Sequence, residues 1–221
     1  MTSDTPVLGD RFAAAFSLAF SLHRGQDRKR AKDEQDGPGI PYTAHLMSVA
    51  ALVLEHGGDE DEAIAGLLHD GPEDQGGQET LDDIRRLFGH RVADIVEACS
   101  DTFETPKPKW RSRKERYLDH LRKTTSPSVF LVSVADKVHN LRSILGDYRR
   151  IGDRLWQRFS GKRDGTLWYY AELLMIYQEK APAKCADLVA EMERIYRELL
   201  DAIPPRHSTN HRDAGPRGRV R

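Results

Sequence analysis

An all-α fold in a single domain is what this 221-residue sequence predicts, on three observations. Apolar residues recur at three- and four-residue intervals through successive segments. Those segments open on capping residues or prolines and close on glycines. No internal repeat and no alternating strand-turn pattern interrupts the series. The length suits one domain of upper-middle size with a sizeable core. Residues 1–9 read as a flexible leader, 10–203 as the folded helical bundle, and 204–221, ending in RHSTNHRDAGPRGRVR, as a disordered basic tail.

The first helix is expected over DRFAAAFSLAFSLHRGQ, capped by Asp10, with Phe12, Ala15, Phe16, Ala19, Phe20 and Leu22 on a broad apolar face. A charged loop, DRKRAKDEQDGPGIPY, follows, punctuated by Gly37-Pro38-Gly39. Pro41 suits the start of a second helix carrying His45, Val49, Leu52 and Val53, which Gly57-Gly58 ends. Asp59 caps DEDEAIAGLLHD, whose acidic first turn complements the helix dipole. Pro72 disfavours helical geometry at Gly71, so this helix stops or kinks just after Asp70. Thr80 opens a helix through Leu81, Ile84, Leu87 and Phe88, Gly89 closes it, and another runs through Val92, Ile95, Val96 and Cys99. DTFETPKPKW reads as a loop and SRKERYLDHLRK as a basic helix. Ser126-Pro127 supplies a cap and a first-turn proline for SVFLVSVADKVHNLRSIL. VFLVSV alone has the composition of a strand, but the length of the segment and its cap favour helix. Two helices near 165–180 and 183–202 complete the bundle before Pro204-Pro205.

Composition narrows the functional classes. Thirty-four Lys and Arg against 35 Asp and Glu leave a net charge of -1, which argues against a surface built for nucleic acid. Cys99 and Cys185 lack metal-type spacing and read as buried, reduced thiols. The N-terminus has no secretory pattern, and no apolar run approaches the ~20 residues that span a bilayer. A cytoplasmic protein without a membrane partner is expected; oligomeric state is not readable.

Chemistry concentrates at four positions: His45, the pair His69-Asp70, and Asp136. They offer two imidazoles and two carboxylates, enough to hold one divalent ion and leave positions for water and a substrate oxygen. The pair lies in AIAGLLHDGPED, where an apolar segment runs into His69, Asp70, Glu73 and Asp74. Such groups are costly beside a buried segment unless something binds them. A carboxylate at a helix C-terminus also opposes the dipole unless a cation is bound. Asp136 interrupts an apolar helix face, with Asn140 and Ser143 following on the same side at i+4 and i+7. The simpler alternative makes Asp136 half of a buried ion pair with Arg142 or Lys137. Mixed N/O ligands without thiolates suit Mn²⁺, Fe²⁺, Co²⁺, Ni²⁺ or Zn²⁺ in a catalytic rather than structural site. Such an ion acidifies water and polarises a phosphoryl oxygen. Glu73 and Asp74, one turn on, are candidates to deprotonate the attacking water and to assist proton transfer to the leaving group, or else are two solvated acids in a turn. KPKWRSRKER is either a phosphate-attracting rim with Trp110 as a stacking surface or a solvated face whose Glu115 and Asp119 pair with neighbouring bases. Trp168, Tyr169 and Tyr170 read as core packing, and His23 as facing solvent or a loop carbonyl.

The order His45, His69-Asp70, Asp136 resembles the H…HD…D signature of the HD phosphohydrolase superfamily. More narrowly, HRGQDRK, PYTAHLMSVAALV, AGLLHDGPED and VADKVHN resemble the hydrolase domain of RelA/SpoT-type enzymes over about residues 10–180. The resemblance implies an HD-type helical bundle that removes the 3′-pyrophosphate of guanosine tetra- and pentaphosphate alarmones, as a small hydrolase without a synthetase domain. It implies His45, His69, Asp70 and Asp136 as ligands of Mn²⁺, with Glu73 and Asp74 as the paired acids near the attacking water. It also implies Arg28 packed on the guanine base, Lys29 near phosphate, Asn140 on the sugar-phosphate region and Ser143 as a neighbouring contact. Two departures stand out. RAKDEQDGPG replaces a short turn, so either Arg28-Lys29 or Lys29-Arg30 meets the family's Arg-Lys, and Gly71-Pro72 stands where aliphatic residues are common. Rival expectations are an HD phosphohydrolase for another phosphorylated nucleotide, such as the 2′-phosphate of NADPH, and a catalytically silent nucleotide-binding module.

Overall fold

A computed structural model describes residues 8–29, 39–104 and 106–204. Most of the expected leader, the middle of the loop after Lys29 and nearly all of the expected tail lie outside the described residues. The described residues form an all-helical domain in which the only extended pairing is a single antiparallel bridge, Asp27 to Pro41. In order the helices are α1 (Asp10–Leu22), α2 (Thr43–Glu55), α3 (Glu60–Leu68), a single turn α4 (Gly71–Asp74), α5 (Gln78–Phe88), α6 (His90–Cys99), α7 (Trp110–Lys123), α8 (Pro127–Ile151), α9 (Lys162–Lys180) and α10 (Ala186–Ala202).

Helix α8 is the axis of the bundle. Helices α2, α3 and α6 pack along one side and α10 along another, while α9 bridges α7 and α10. Its N-terminal half, Val129 to Ala135, is buried all round, which is why VFLVSV reads as continuously apolar. Ser126 Oγ accepts from the Val129 amide at 3.4 Å, and Pro127 occupies the first turn, so the cap decides for helix over strand.

Helix α3 lies closest to the chemistry. Asp59 and Glu62 form a capping box, with Glu62 N–H to Asp59 Oδ1 and Asp59 N–H to Glu62 Oε2 both at 3.0 Å. A Cβ on Gly66 would sit 3.3 Å from the Ala50 Cα, so glycine lets the α3 backbone approach α2 closely enough to bring the His45 and His69 rings edge-on to within 5.3 Å between centroids. The helix ends at Leu68, two residues before the stop expected after Asp70, and Gly71, expected to leave helical geometry ahead of Pro72, instead opens the single turn α4 with Pro72 in its first turn.

Four local expectations need correction. Gly9, not Asp10, is the α1 cap; its N–H donates to Glu60 Oε1 at 2.7 Å and Asp10 falls inside the first turn. Phe16 and Phe20 are exposed, because α1 reaches α3 through the small stripe Ala15 and Ala19, and close approach there turns the larger rings outward. Helix α5 starts at Gln78, after Gly77 with φ 60°, and the Thr80 hydroxyl donates to the Gln75 carbonyl instead of capping. Trp110 begins α7 rather than ending a loop.

Cys99 and Cys185 are free and buried, and burial pushes the Cys99 thiol up to about 12, as suits inert thiols. No described helix is long and apolar enough to cross a membrane.

Two substitutions check this packing by urea denaturation. Leu141→Ala, in the α8 core, should cost about 2–5 kcal/mol, whereas Leu87→Ala, on the exposed side of α5, should stay within about 0.5 kcal/mol.

Candidate metal centre

His45, His69, Asp70 and Asp136 converge. His45 comes from the first turn of α2, His69 and Asp70 from the break after α3, and Asp136 from the middle of α8. His45 Nε2 lies 3.4 Å from Asp70 Oδ2 and 3.2 Å from Asp136 Oδ1. His69 Nε2 lies 3.1 Å and 3.6 Å from the same two oxygens. One ligand atom each from His45, His69 and Asp70 falls within 4.8 Å of the others, a group able to hold a metal ion.

The orientation of each ring suits that role. His69 Nδ1–H donates to the Gly66 carbonyl at 2.9 Å, which fixes the ring with Nε2 pointing at the two carboxylates. That Nε2 is a buried polar atom without a hydrogen-bond partner, a costly arrangement that a bound cation would relieve. His45 Nδ1 meets His139 Nδ1 at 2.7 Å. With His45 Nδ1 directed at His139, its Nε2 faces Asp70 and Asp136. Burial, then the charges of His45 and Arg28, holds His139 down at about 3, so it is neutral and able to accept.

The carboxylates are compensated from behind. Lys137 Nζ and Asn140 Nδ2 donate to the two oxygens of Asp136, and the Tyr42 hydroxyl donates to Asp70 Oδ2 at 2.5 Å. Burial works to raise both aspartates, but Lys137 and the imidazoles hold Asp136, and His69 and His45 hold Asp70, well below the usual carboxylate range. Burial would lower His69, yet Asp70 and Asp136 carry it well above the ordinary imidazole value. The simpler alternative for Asp136, an ion pair with Lys137, is therefore also present; it uses Oδ2 and leaves Oδ1 facing the imidazoles.

The other expected site residues divide. Arg28 Nη2 donates to Asn140 Oδ1 at 2.9 Å, so the two are brought together beside Asp136. Lys29 is exposed and Ser143 spends its hydroxyl on the His139 carbonyl at 3.1 Å. Glu73 is partly buried and Asp74 exposed; Lys107 Nζ bridges them at 3.3 and 3.4 Å, and Gln26 Nε2 donates to Asp74 Oδ2 at 2.9 Å. Burial and the neighbouring Asp101 charge raise Glu73.

The basic segment is mostly consumed in pairing. Arg111 meets Glu115 at 2.7 Å, Arg122 meets Asp119 at 2.8 Å, and Lys114 meets Asp101 at 2.6 Å. Trp110 packs edge-on against Trp168 and Tyr169 over Gly161, so it is a packing residue and not an open stacking surface. His23 is another correction. It is 2 % exposed, stacks on Tyr42 with ring centroids 5.0 Å apart, and shares a hydrogen bond of 2.9 Å with Gln26 Oε1. His139, read from the sequence as either a support behind the ligands or a surface residue, is the former; Tyr42 and Gln26 also support the cluster, and their only signal in the sequence is position inside PYTAH and HRGQ.

An all-helical bundle with this His-Asp cluster defines an HD domain. Residues 15–167 match the HD domain model, and the chain belongs to that family. Its HD domain is of the SpoT/MESH1 type. The mouse guanosine-3′,5′-bis(diphosphate) 3′-pyrophosphohydrolase MESH1 is 34% identical over 132 residues, 59% of this chain and 67% of that protein. The bifunctional (p)ppGpp synthase/hydrolase SpoT of Escherichia coli K12 is 33% identical over 139 residues, 61% of this chain. The chain spans only 18% of the length of that bacterial relative. The solved structure of a metazoan ortholog of SpoT shares the fold, with a TM-score of 0.66 at 23% identity over 87% of this chain and 97% of that one.

Lys137→Met would leave the Asp136 charge buried without its ammonium partner. The expected cost is about 3–5 kcal/mol in the metal-free protein, read from urea denaturation.

Proposed function

We propose that this protein is a metal-dependent hydrolase that removes the 3′-pyrophosphate of guanosine tetra- and pentaphosphate, giving GDP or GTP and pyrophosphate. The observation that carries the reading is the closure of two imidazoles and two carboxylates around the unpartnered His69 Nε2, in an HD-family chain related to ppGpp 3′-pyrophosphohydrolases.

His45, His69, Asp70 and Asp136 would hold one divalent ion of the kind a mixed N/O set without thiolates suits, and the resemblance to RelA/SpoT-type hydrolases makes Mn²⁺ the first candidate. When bound, that ion supplies Lewis acidity toward water and a phosphoryl oxygen. Glu73 takes the proton from the attacking water; its raised basicity, set by burial and Asp101, suits a general base. Water adds to the phosphorus attached to the 3′ oxygen, the bond from phosphorus to that oxygen breaks, and pyrophosphate departs. Asp74, steadied by Gln26 and Lys107, assists proton delivery to the released 3′ oxygen. Arg28 packs its guanidinium on the guanine ring while Asn140 fixes its orientation and contacts the sugar-phosphate region. Lys29, solvent-exposed, supplies charge to phosphate, and Ser143 is a further contact on the α8 face.

Purified protein with Mn²⁺ and guanosine tetraphosphate should release pyrophosphate, and Asp70→Ala should reduce this to background. Turnover of NADPH but not the alarmone, or binding without turnover, would replace the proposal with another function. Arg28→Ala should raise KM roughly tenfold, the equivalent of about 1–2 kcal/mol of lost stacking.

The pH profile tests Glu73. The base form is lost as pH falls through a pKa above the ordinary glutamate value, so kcat/KM should fall on an acid limb displaced upward. Glu73→Gln should remove that limb and lower kcat by about 10²–10⁴-fold.

A further inference from the structure

We infer that Tyr42 is a positioning residue for the metal centre, holding Asp70 in its ligating orientation from a brace supplied by the end of α1. The inference rests on the reading of the four-residue cluster as a metal site and goes beyond it to the groups that keep the site in register.

The phenol of Tyr42 donates to Asp70 Oδ2 at 2.5 Å, and this same oxygen faces both imidazoles, 3.4 Å from His45 Nε2 and 3.1 Å from His69 Nε2. Asp70 needs an external hold. It follows the end of α3, where the local dipole is unfavourable for a carboxylate, and adjoins Gly71, which lends no side-chain support. Lys137 and Asn140 hold Asp136 from its own helix, but Asp70 has no comparable donor on α3 or α4. Tyr42 is that donor, from the N-terminal edge of α2.

Tyr42 is itself fixed on three sides. The buried His23 ring stacks on its face with an interplanar angle of 19°. Its backbone N–H donates to the Gln26 carbonyl at 2.8 Å. On its other side the His45 ring meets it edge-on at 5.5 Å. Gln26 extends the brace: its Oε1 joins His23 Nδ1 and receives Gln75 Nε2, both at 2.9 Å, and its Nε2 reaches Asp74. Residues 23–26 thus support Asp70 through Tyr42 and Asp74 through Gln26, so metal ligand and acid share one support.

The test is Mn²⁺ titration of chelator-treated full-length protein, wild type against Tyr42→Phe. Phenylalanine keeps the ring stacked on His23 and removes only the hydroxyl, so a purely packing role for Tyr42 would leave affinity unmoved. The expected result is Mn²⁺ affinity about 10–100-fold weaker, the usual consequence of losing a partner that orients a ligand, in a metal-free protein that still shows a cooperative melting transition. His23→Leu, which removes the stacking ring and keeps the hydroxyl, should weaken Mn²⁺ in the same direction. Equal affinity of wild type and Tyr42→Phe overturns the positioning role and leaves the metal centre standing. Absence of Mn²⁺ uptake by the wild-type protein overturns both.

Discussion

Two carboxylates, Asp70 and Asp136, are held against two buried imidazoles, and the rest of the structure is arranged around that constraint. An ion taken out of water without compensation costs several kcal/mol. Compensation here comes from every direction: an ammonium and an amide on Asp136, a phenol on Asp70, a backbone carbonyl on His69 and a second imidazole on His45. What is left over is His69 Nε2, a buried polar atom with no hydrogen-bond partner that faces Asp70 and Asp136 together with His45 Nε2. A buried polar atom left in that state calls for an explanation, and the proposed cation supplies one.

Helix packing serves this geometry as much as it serves stability. Gly66 admits the α2 backbone, the capping box pins the start of α3, and the break at Pro72 ends α3 so that His69 and Asp70 share one turn. Helix α8 carries Asp136, Lys137, His139 and Asn140 within five residues, and they reach the cluster from the other side. A long helix buried along most of its length is a rigid mount, and a ligand set needs its members held to a fraction of an ångström.

Charge around the acids is organised by a second network. Asp101 draws Arg113 and Lys114 inward, and Arg113 reaches on to Glu73 at 3.5 Å. The basic segment that might have formed an open rim is thereby turned against α7's own acids and the 100–104 loop, leaving Lys107 to span Glu73 and Asp74 from the exposed side. Glu73 is poised by two opposed influences, burial with Asp101 raising it and the lysines lowering it.

Periodicity, caps and glycines determined the helices, because those signals are local: Asp59 with Glu62, Ser126 with Pro127, and Gly89 each act within one turn. The spacing of His45, His69-Asp70 and Asp136 marked the cluster, since imidazoles and carboxylates placed among apolar residues have few other uses. Which small residues would bring α1 onto α3, and so turn Phe16 and Phe20 to solvent, depended on a neighbour distant in sequence. The same holds for His23 under Tyr42, Tyr42 on Asp70 and Arg28 on Asn140, 112 positions apart. A sequence states which groups are present and which local conformation each prefers. Hydrogen-bond partners across the bundle are set by packing distances, and only the tertiary structure decides those.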